Sequence, residues 1–352
     1  RTFQGLVESK TSDGTADGLP LLRTKNSNTN ASVDPHFDKD FLQGKNAFNT
    51  VLGKVYENVS FPLKQKPVFA TNPENPDPNE PESKAEYWYY DSNETSLYLK
   101  QDIARQSYYL AGNGTKDDAS RNRGADNSTN GKGYGFFPFN QTVTGSAPQY
   151  NYGFGAKLQF DFTLTEDGNV VVGKDNDDKD IKVPIKFFFS GDDDVWVYID
   201  GKLVLDVGGA HGKASGLLEF GAGSTVTPYV SSNKNTGNDN TMAYTTDTTK
   251  SVCFNGNPVT FKNEGNTITL DTTRTTHTLT MFYMERGMWE SNMAVAFNFP
   301  DNNELQVEKQ VDLNNVNPEF RGLFQDQKLF TFALQNLATH YGTKPITNTT
   351  PD

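Results

Sequence analysis

The stretch Ile185-Lys186-Phe187-Phe188-Phe189-Ser190-Gly191-Asp192-Asp193-Asp194-Val195-Trp196-Val197-Tyr198-Ile199 places three consecutive carboxylates between two apolar segments. The first segment is bulky and apolar apart from Lys186 and the second is β-branched and aromatic throughout, so both read as β-strands. Carboxylates in sequence repel one another unless a cation or a set of N–H donors neutralises them. Two readings follow from the residues alone. In one, the aspartates supply part of the roughly six to eight oxygen ligands that Ca2+ requires. In the other, they are turn formers and caps that accept backbone hydrogen bonds.

Working outward, Asp200-Gly201 is a hairpin signal that returns the chain into Lys202-Leu203-Val204-Leu205-Asp206. Upstream, Ala156 to Leu164 alternates apolar and polar residues, Glu166 to Asn169 turns, and Val170-Val171-Val172 begins what reads as the return strand of a hairpin. Glu86 to Asp91, Ser96 to Leu99, Thr267 to Leu270, Thr278 to Met284 and Ala294 to Phe299 supply further strands. Gly112 to Lys132 and Ser224 to Asn240 read as irregular surface loops. The expected fold is all-β: a two-sheet antiparallel β-sandwich with long loops.

Three segments are expected. Residues 1–85 form an N-terminal wrapping segment with scattered apolar positions, ending in a Pro-rich stretch, Asn72 to Ser83, that reads as an extended surface loop or linker. Residues 86–303 form the ligand-binding sandwich. Residues 304–352 carry two alternating runs, Leu305 to Val311 and Leu329 to Leu334. These read as the first strands of a truncated pilin-like β module.

Composition narrows the function. The 44 acidic against 32 basic residues give a formal charge of −12, and no Lys/Arg-rich block is present, which argues against nucleic acid and anionic membrane surfaces as partners. No apolar run approaches the ~18 residues of a membrane helix, so no membrane insertion is expected. The single cysteine, Cys253, rules out an intrachain disulfide and reads as a small buried hydrophobe rather than half of a thioester. The start at Arg1-Thr2-Phe3 lacks a signal-peptide pattern, so for an exported chain that segment is expected to have been removed or left out.

Gly191 to Asp206, followed by Gly208-Gly209-Ala210-His211-Gly212, closely resembles the fibro-slime family. That family is a branch of the carbohydrate-binding β-sandwich domains named for anthrax protective antigen and shared with flocculins. Gly135-Phe136-Phe137-Pro138-Phe139-Asn140, Gly153-Phe154-Gly155-Ala156, Glu285-Arg286-Gly287 and Ser291-Asn292 extend the resemblance over about Phe136 to Phe299. It implies an antiparallel sandwich on an exported, cell-surface or cell-wall anchored protein, with two adjacent aspartates joined by a cis peptide holding Ca2+. Carried over by position, that pair is Asp192 and Asp193. Asp194 stands where many relatives have glycine. An asparagine that often completes the shell would be Asn292.

The metal candidates are therefore Asp192, Asp193, Asp194 and Asn292. Glu285 is either a further oxygen donor or one half of an internal ion pair with Arg286. His211 either lines the pocket or bonds the aspartate loop, and Trp289 either stacks on a sugar or packs in the core. Asp175 to Asp180 lacks the glycine and glutamate of an EF-hand loop and reads as a solvated hairpin end. Lys309 resembles the first-strand lysine of isopeptide-forming surface modules. The expected function is a non-catalytic, calcium-dependent cell-surface adhesin that binds glycans or surface glycoproteins and is joined to further domains of the same surface protein. The alternative is a structural pilus or extracellular-matrix module in which Ca2+ only stabilises the fold. An enzyme is not expected, because adjacent acids on one strand cannot flank a glycosidic bond from opposite sides.

Overall fold

The computed structural model describes residues 4–25, 32, 56–112, 135–139, 153–209, 213–231, 250–263, 267–285, 291–300, 333–334 and 346–347. The chain divides into two compact units, Arg1–Asn302 and Asn303–Asp352. Among the described residues there is no α-helix, and no helix is long and apolar enough to cross a membrane.

In the first unit the strands run β1 (Val7–Thr11), β2 (Pro20–Leu22), β3 (Lys64–Lys66), β4 (Tyr87–Asp91), β5 (Leu97–Asp102), β6 (Ser107–Gly112), β7 (Phe154–Thr163), β8 (Asn169–Lys174) and β9 (Asp180–Pro184). They continue with β10 (Lys186–Asp192), β11 (Asp194–Ile199), β12 (Lys202–Val207), β13 (Ala214–Gly221), β14 (Thr225–Ser231), β15 (Lys250–Phe254), β16 (Asn257–Asn263), β17 (Ile268–Thr269), β18 (Thr276–Glu285) and β19 (Asn292–Phe297). One sheet has the order β2-β1-β12-β11-β18-β7. The other runs β15-β16-β14-β13-β10-β19-β4-β3, with β17 beside β14. All recorded strand pairings in these two sheets are antiparallel.

The two apolar flanks of the aspartates belong to different sheets. Side chains alternate across a strand, so Phe187 and Phe189 of β10 enter one core with Val195, Val197 and Ile199 of β11. Phe188 points the other way, into a cluster with Phe69, Tyr87, Phe254 and Phe261. Trp196 and Tyr198 face away from the first core and are buried under Leu6, Val7 and the partly buried Leu19 and Leu22 of the N-terminal segment. Both faces of each strand are covered, which explains why neither flank carries the polar half of an ordinary alternating pattern.

The described residues before β4 are thus part of the fold. The Pro-rich stretch is not a linker: Glu82, on a single 3-10 turn at Pro81–Lys84, ion-pairs with Lys186 of β10 and accepts the Tyr87 hydroxyl at 2.7 Å. Its prolines produce turns rather than an extended run.

Three expectations change. Val170 to Val172 does not pair back onto Ala156 to Leu164. The ten residues of β7 instead pair with the ten of β18, from Thr163↔Thr276 to Phe154↔Glu285, and β8 pairs with β9. The local turn decides this, because Asp175 Oδ1 accepts the N–H groups of Asp177 and Lys179 at 2.8 and 2.9 Å and closes a hairpin there. The Asp175 to Asp180 segment is accordingly a hairpin end. Second, from Thr225 the described part of Ser224 to Asn240 is a strand, β14, even though it contains Pro228, while residues 232–240 lie outside the described residues. The neighbours on the far side of β14 stop at Val226 and resume at Tyr229, so Pro228 lies opposite a gap where its missing N–H leaves no ladder bond unmade. Third, Cys253 on β15 is only half-buried, and burial raises its thiol pKa.

The Asp200-Gly201 turn forms as read, with φ of +50° and +79°, joining β11 to β12. Asp200 is held by Nδ1 of the buried His277 at 2.6 Å and by the Thr278 N–H at 3.0 Å. In the second unit, β20 (Ala333–Leu334) pairs antiparallel with β21 (Ile346–Thr347). Leu305 to Val311, with Lys309, and the rest of Leu329 to Leu334 lie outside the described residues. Of the expected loop from Gly112 to Lys132, Gly112 ends β6 and the remainder, Asn113 to Lys132, also lies outside them.

Phe188→Ala should destabilise the protein by about 3–5 kcal/mol in a urea unfolding experiment, since the cavity opens inside an aromatic cluster. On the surface, Lys182 and the Asn169 N–H hold the Asp167 carboxyl down to about 2. The stabilisation from that depressed value is present above the unfolded carboxylate range and is lost as pH falls through about 2. An NMR titration should find Asp167 at that value and find it returned toward 3.8 in Lys182→Ala.

Candidate functional site

The chain passes from one sheet to the other at Asp192-Asp193-Asp194. Asp192 ends β10 opposite Asn292 of β19, Asp194 opens β11 opposite Met284 of β18, and the Asp192–Asp193 peptide is cis. That is the form the sequence resemblance implies for a paired-aspartate site. All three aspartates are buried, with relative exposures of 2%, 5% and 0%, and Glu285 and Asn292 beside them are at 0% and 1%. Four acids and an amide are therefore withdrawn from water within one corner, where a charge needs compensating donors or a cation.

Some of the donors are visible. The Asn292 N–H donates to Asp192 Oδ1 at 2.5 Å, and its side-chain amide donates to Oδ2 at 3.4 Å. The Gly209 N–H donates to Asp194 Oδ1. The Tyr283 hydroxyl donates to the Asp192 carbonyl at 2.7 Å and lies 2.9 Å from Ser291 Oγ. Ser291 Oγ in turn donates to the Phe136 carbonyl at 2.6 Å. Burial raises the Tyr283 pKa well above the usual phenol value, and the charges of Glu285, Asp192 and Asp193 push it further. A single buried phenol therefore lies within the field of three carboxylates.

Gly191 is required by close approach. A Cβ there would sit 2.1 Å from the Asn292 carbonyl oxygen and 2.7 Å from the Phe189 ring, so β10 and β19 could not bring Asp192 against Asn292 with any other residue at that position.

The fit of a cation rests on the Asn292 amide oxygen. Among the described residues, no three His, Cys, Asp or Glu side chains converge to hold a metal by themselves. Asn292 stands opposite Asp192 across the β10–β19 ladder. Asn292 Oδ1 is buried and has no hydrogen-bond partner among the described residues, whereas the Asn292 amide nitrogen is directed at Asp192. An oriented, buried amide oxygen left without a donor suits a hard cation that takes carbonyl and carboxylate oxygens.

The structure thus brings together Asp192, Asp193, Asp194, Asn292 and Glu285 from the sequence-derived set. His211, Arg286 and Trp289 lie outside the described residues. Sequence reasoning missed Tyr283 as a site residue, although a tyrosine on the inward face of a Leu/Met strand must find a partner for its hydroxyl. It also missed Asp206, whose carboxyl is pushed above its usual range, chiefly by burial, against the opposing N–H bonds of Gly5 and Gly208.

No family model and no solved structure matches the chain. Partial similarity is found to proteins of Dictyostelium discoideum. Protein psiI is 36% identical over 80 residues, 23% of this chain and 9% of psiI. Protein psiP is 42% identical over 69 residues, 20% of this chain and 7% of psiP. Protein psiQ is 62% identical over 29 residues, 8% of this chain and 3% of psiQ. The chain matches less than a tenth of the length of each of these relatives, so the likeness is that of a shared segment.

Tyr283→Phe should leave the buried Asp192 carbonyl short of its donor and cost about 1–3 kcal/mol. Thermal or urea unfolding of the variant against the parent chain measures it.

Proposed function

We propose that this chain is a fibro-slime-type β-sandwich that binds Ca2+ at the Asp192-Asp193 corner and presents the ion to glycans on a cell surface, without catalysing a reaction. The observation that carries the reading is the buried Asn292 Oδ1, which has no hydrogen-bond partner among the described residues and sits on the residue that faces Asp192 across the β10–β19 ladder. Asp192, Asp193 and Asn292 would hold the ion, with backbone carbonyls of the adjoining loops completing the shell. Calcium supplies a Lewis-acidic centre whose waters vicinal sugar hydroxyls can replace. Asp194 joins the ligand set in the sequence reading. In the fold one of its oxygens accepts the Gly209 amide, which favours a supporting role. Glu285 lies on the Tyr283 side of the corner, 3.4 Å from that hydroxyl.

A second reading follows from the depth of the corner. With Asp192, Asp193 and Asn292 each at most 5% exposed, an ion there would also tie the two sheets together, as in a structural surface or matrix module.

Calorimetry on metal-stripped protein should detect Ca2+ binding, and Asp192→Ala with Asp193→Ala should abolish it. At a calcium concentration about a hundredfold above Kd, the parent protein should gain ~2.7 kcal/mol of stability. Binding on a glycan array that disappears with chelator supports the lectin reading. A calcium-dependent melting temperature with a silent array supports the structural one, and the absence of calcium binding overturns both.

A further inference from the structure

We propose that Asp194 and Asp206 are positioning residues that fasten the Gly208-Gly209 turn and the Gln4-Gly5 segment to the metal corner. The inference rests on the calcium reading of Asp192 and Asp193.

The first observation is how each carboxylate is used. Asp206 Oδ1 accepts the Gly208 N–H at 2.9 Å and Oδ2 accepts the Gly5 N–H at 2.8 Å. The Asp206 carbonyl accepts the Gln4 side-chain amide at 2.7 Å. One acid thus joins two stretches of backbone separated by about two hundred residues of sequence. Asp194 Oδ1 accepts the next amide of the same turn, Gly209 N–H. Consecutive amides of one turn are therefore gripped by two acids on neighbouring strands.

The second observation is the fit beneath the turn. Strand register sets Trp196 opposite Asp206, and a Cβ on Gly208 would lie 2.6 Å from Trp196 Nε1 and 3.0 Å from Asp206 Oδ1. The turn backbone rests directly on the indole and the carboxylate, and no side chain fits between them. The indole belongs to the cluster that the N-terminal Leu6 and Val7 cover, so the wrapping segment presses on the same support from outside.

The consequence concerns affinity. Asp194 follows Asp193 directly, so a tether on its side chain limits the movement of the backbone that carries a proposed ligand. Calcium needs more oxygens than two carboxylates and one amide provide, and the remainder must come from loops held close by. A loop already fastened in place loses less freedom on binding, and outer-shell partners of metal ligands influence affinity by about 10–100-fold.

The test compares calcium affinity with amide protection on the full chain. Asp206→Ala, Asp194→Asn and Gln4→Ala are titrated with CaCl2 by calorimetry, next to Asp192→Ala/Asp193→Ala and to Phe261→Ala, a core variant remote from the turn. Amide hydrogen exchange is followed at Gly5, Gly208 and Gly209 without calcium. The expected result is loss of protection at those amides in the Asp206 and Asp194 variants and a Kd raised about 10–100-fold, with Phe261→Ala lowering the melting temperature but keeping the parental Kd. Should Asp206→Ala fail to fold, Asp206→Asn, which retains one acceptor oxygen, is expected to show a smaller shift in the same direction. Unchanged protection, or a parental Kd in the Asp194 and Asp206 variants while the Asp192/Asp193 variant is silent, overturns the positioning role and leaves the metal site standing. Parental binding in the Asp192/Asp193 variant, or no binding in the parent chain, overturns the site itself.

Discussion

The fold turns on carboxylates that leave water where the chain crosses between sheets. Apolar residues from Ile185 to Phe189 and from Val195 to Ile199 require burial on both faces, and the only polar residues between them are Ser190 and the three aspartates around the crossing. Burying the flanks drags the acids in with them. An ionised carboxylate is costly in a low-dielectric interior unless donors or a cation surround it, so the local architecture is organised around supplying them: the Asn292 backbone and side chain, the Gly209 amide, and the Tyr283 hydroxyl on the intervening carbonyl.

The same requirement explains the packing outside the two sheets. A sandwich whose central strands are apolar on both sides needs a second cover on each sheet. The N-terminal segment covers Trp196 and Tyr198, and the region from Val68 to Tyr87, with β15 and β16, covers Phe188. The cover is held by polar contacts as well as apolar ones. Lys186 ion-pairs with Glu82 while its ammonium lies 5.1 Å from the centre of the Phe69 ring. Regions that look sparse in sequence thus carry part of the core, and a boundary drawn at residue 85 divides a single compact unit.

Legibility in the sequence followed the range of the interactions. Strand identity was readable where alternation or β-branched content was strong, as in Phe154 to Thr163 and Asp194 to Ile199. The Asp200-Gly201 turn was readable because two residues at positive φ specify it locally. Pairing was not: β7 was expected beside β8, yet its partner β18 lies more than a hundred residues further along the chain. Ser224 to Asn240 read as irregular although it holds β14, because the gap between two short neighbouring strands that accommodates Pro228 has no local signature. In the corner, the three aspartates, Asn292 and Glu285 were all singled out from sequence. Tyr283 and Asp206 were passed over as site residues because their partners, the Asp192 carbonyl and the Gly5 amide, come from distant segments.

By itself, the sequence determined an all-β chain and an acidic crossing between two apolar strands, because side-chain alternation, turn chemistry and charge repulsion act over a few residues. The tertiary structure alone decided which strands became neighbours, that both outer faces are covered, and that Asn292 faces Asp192 across the ladder. Those outcomes depend on closing long loops so that each buried face and each withdrawn carboxylate finds its complement, and no short stretch of sequence contains both halves of such a pair.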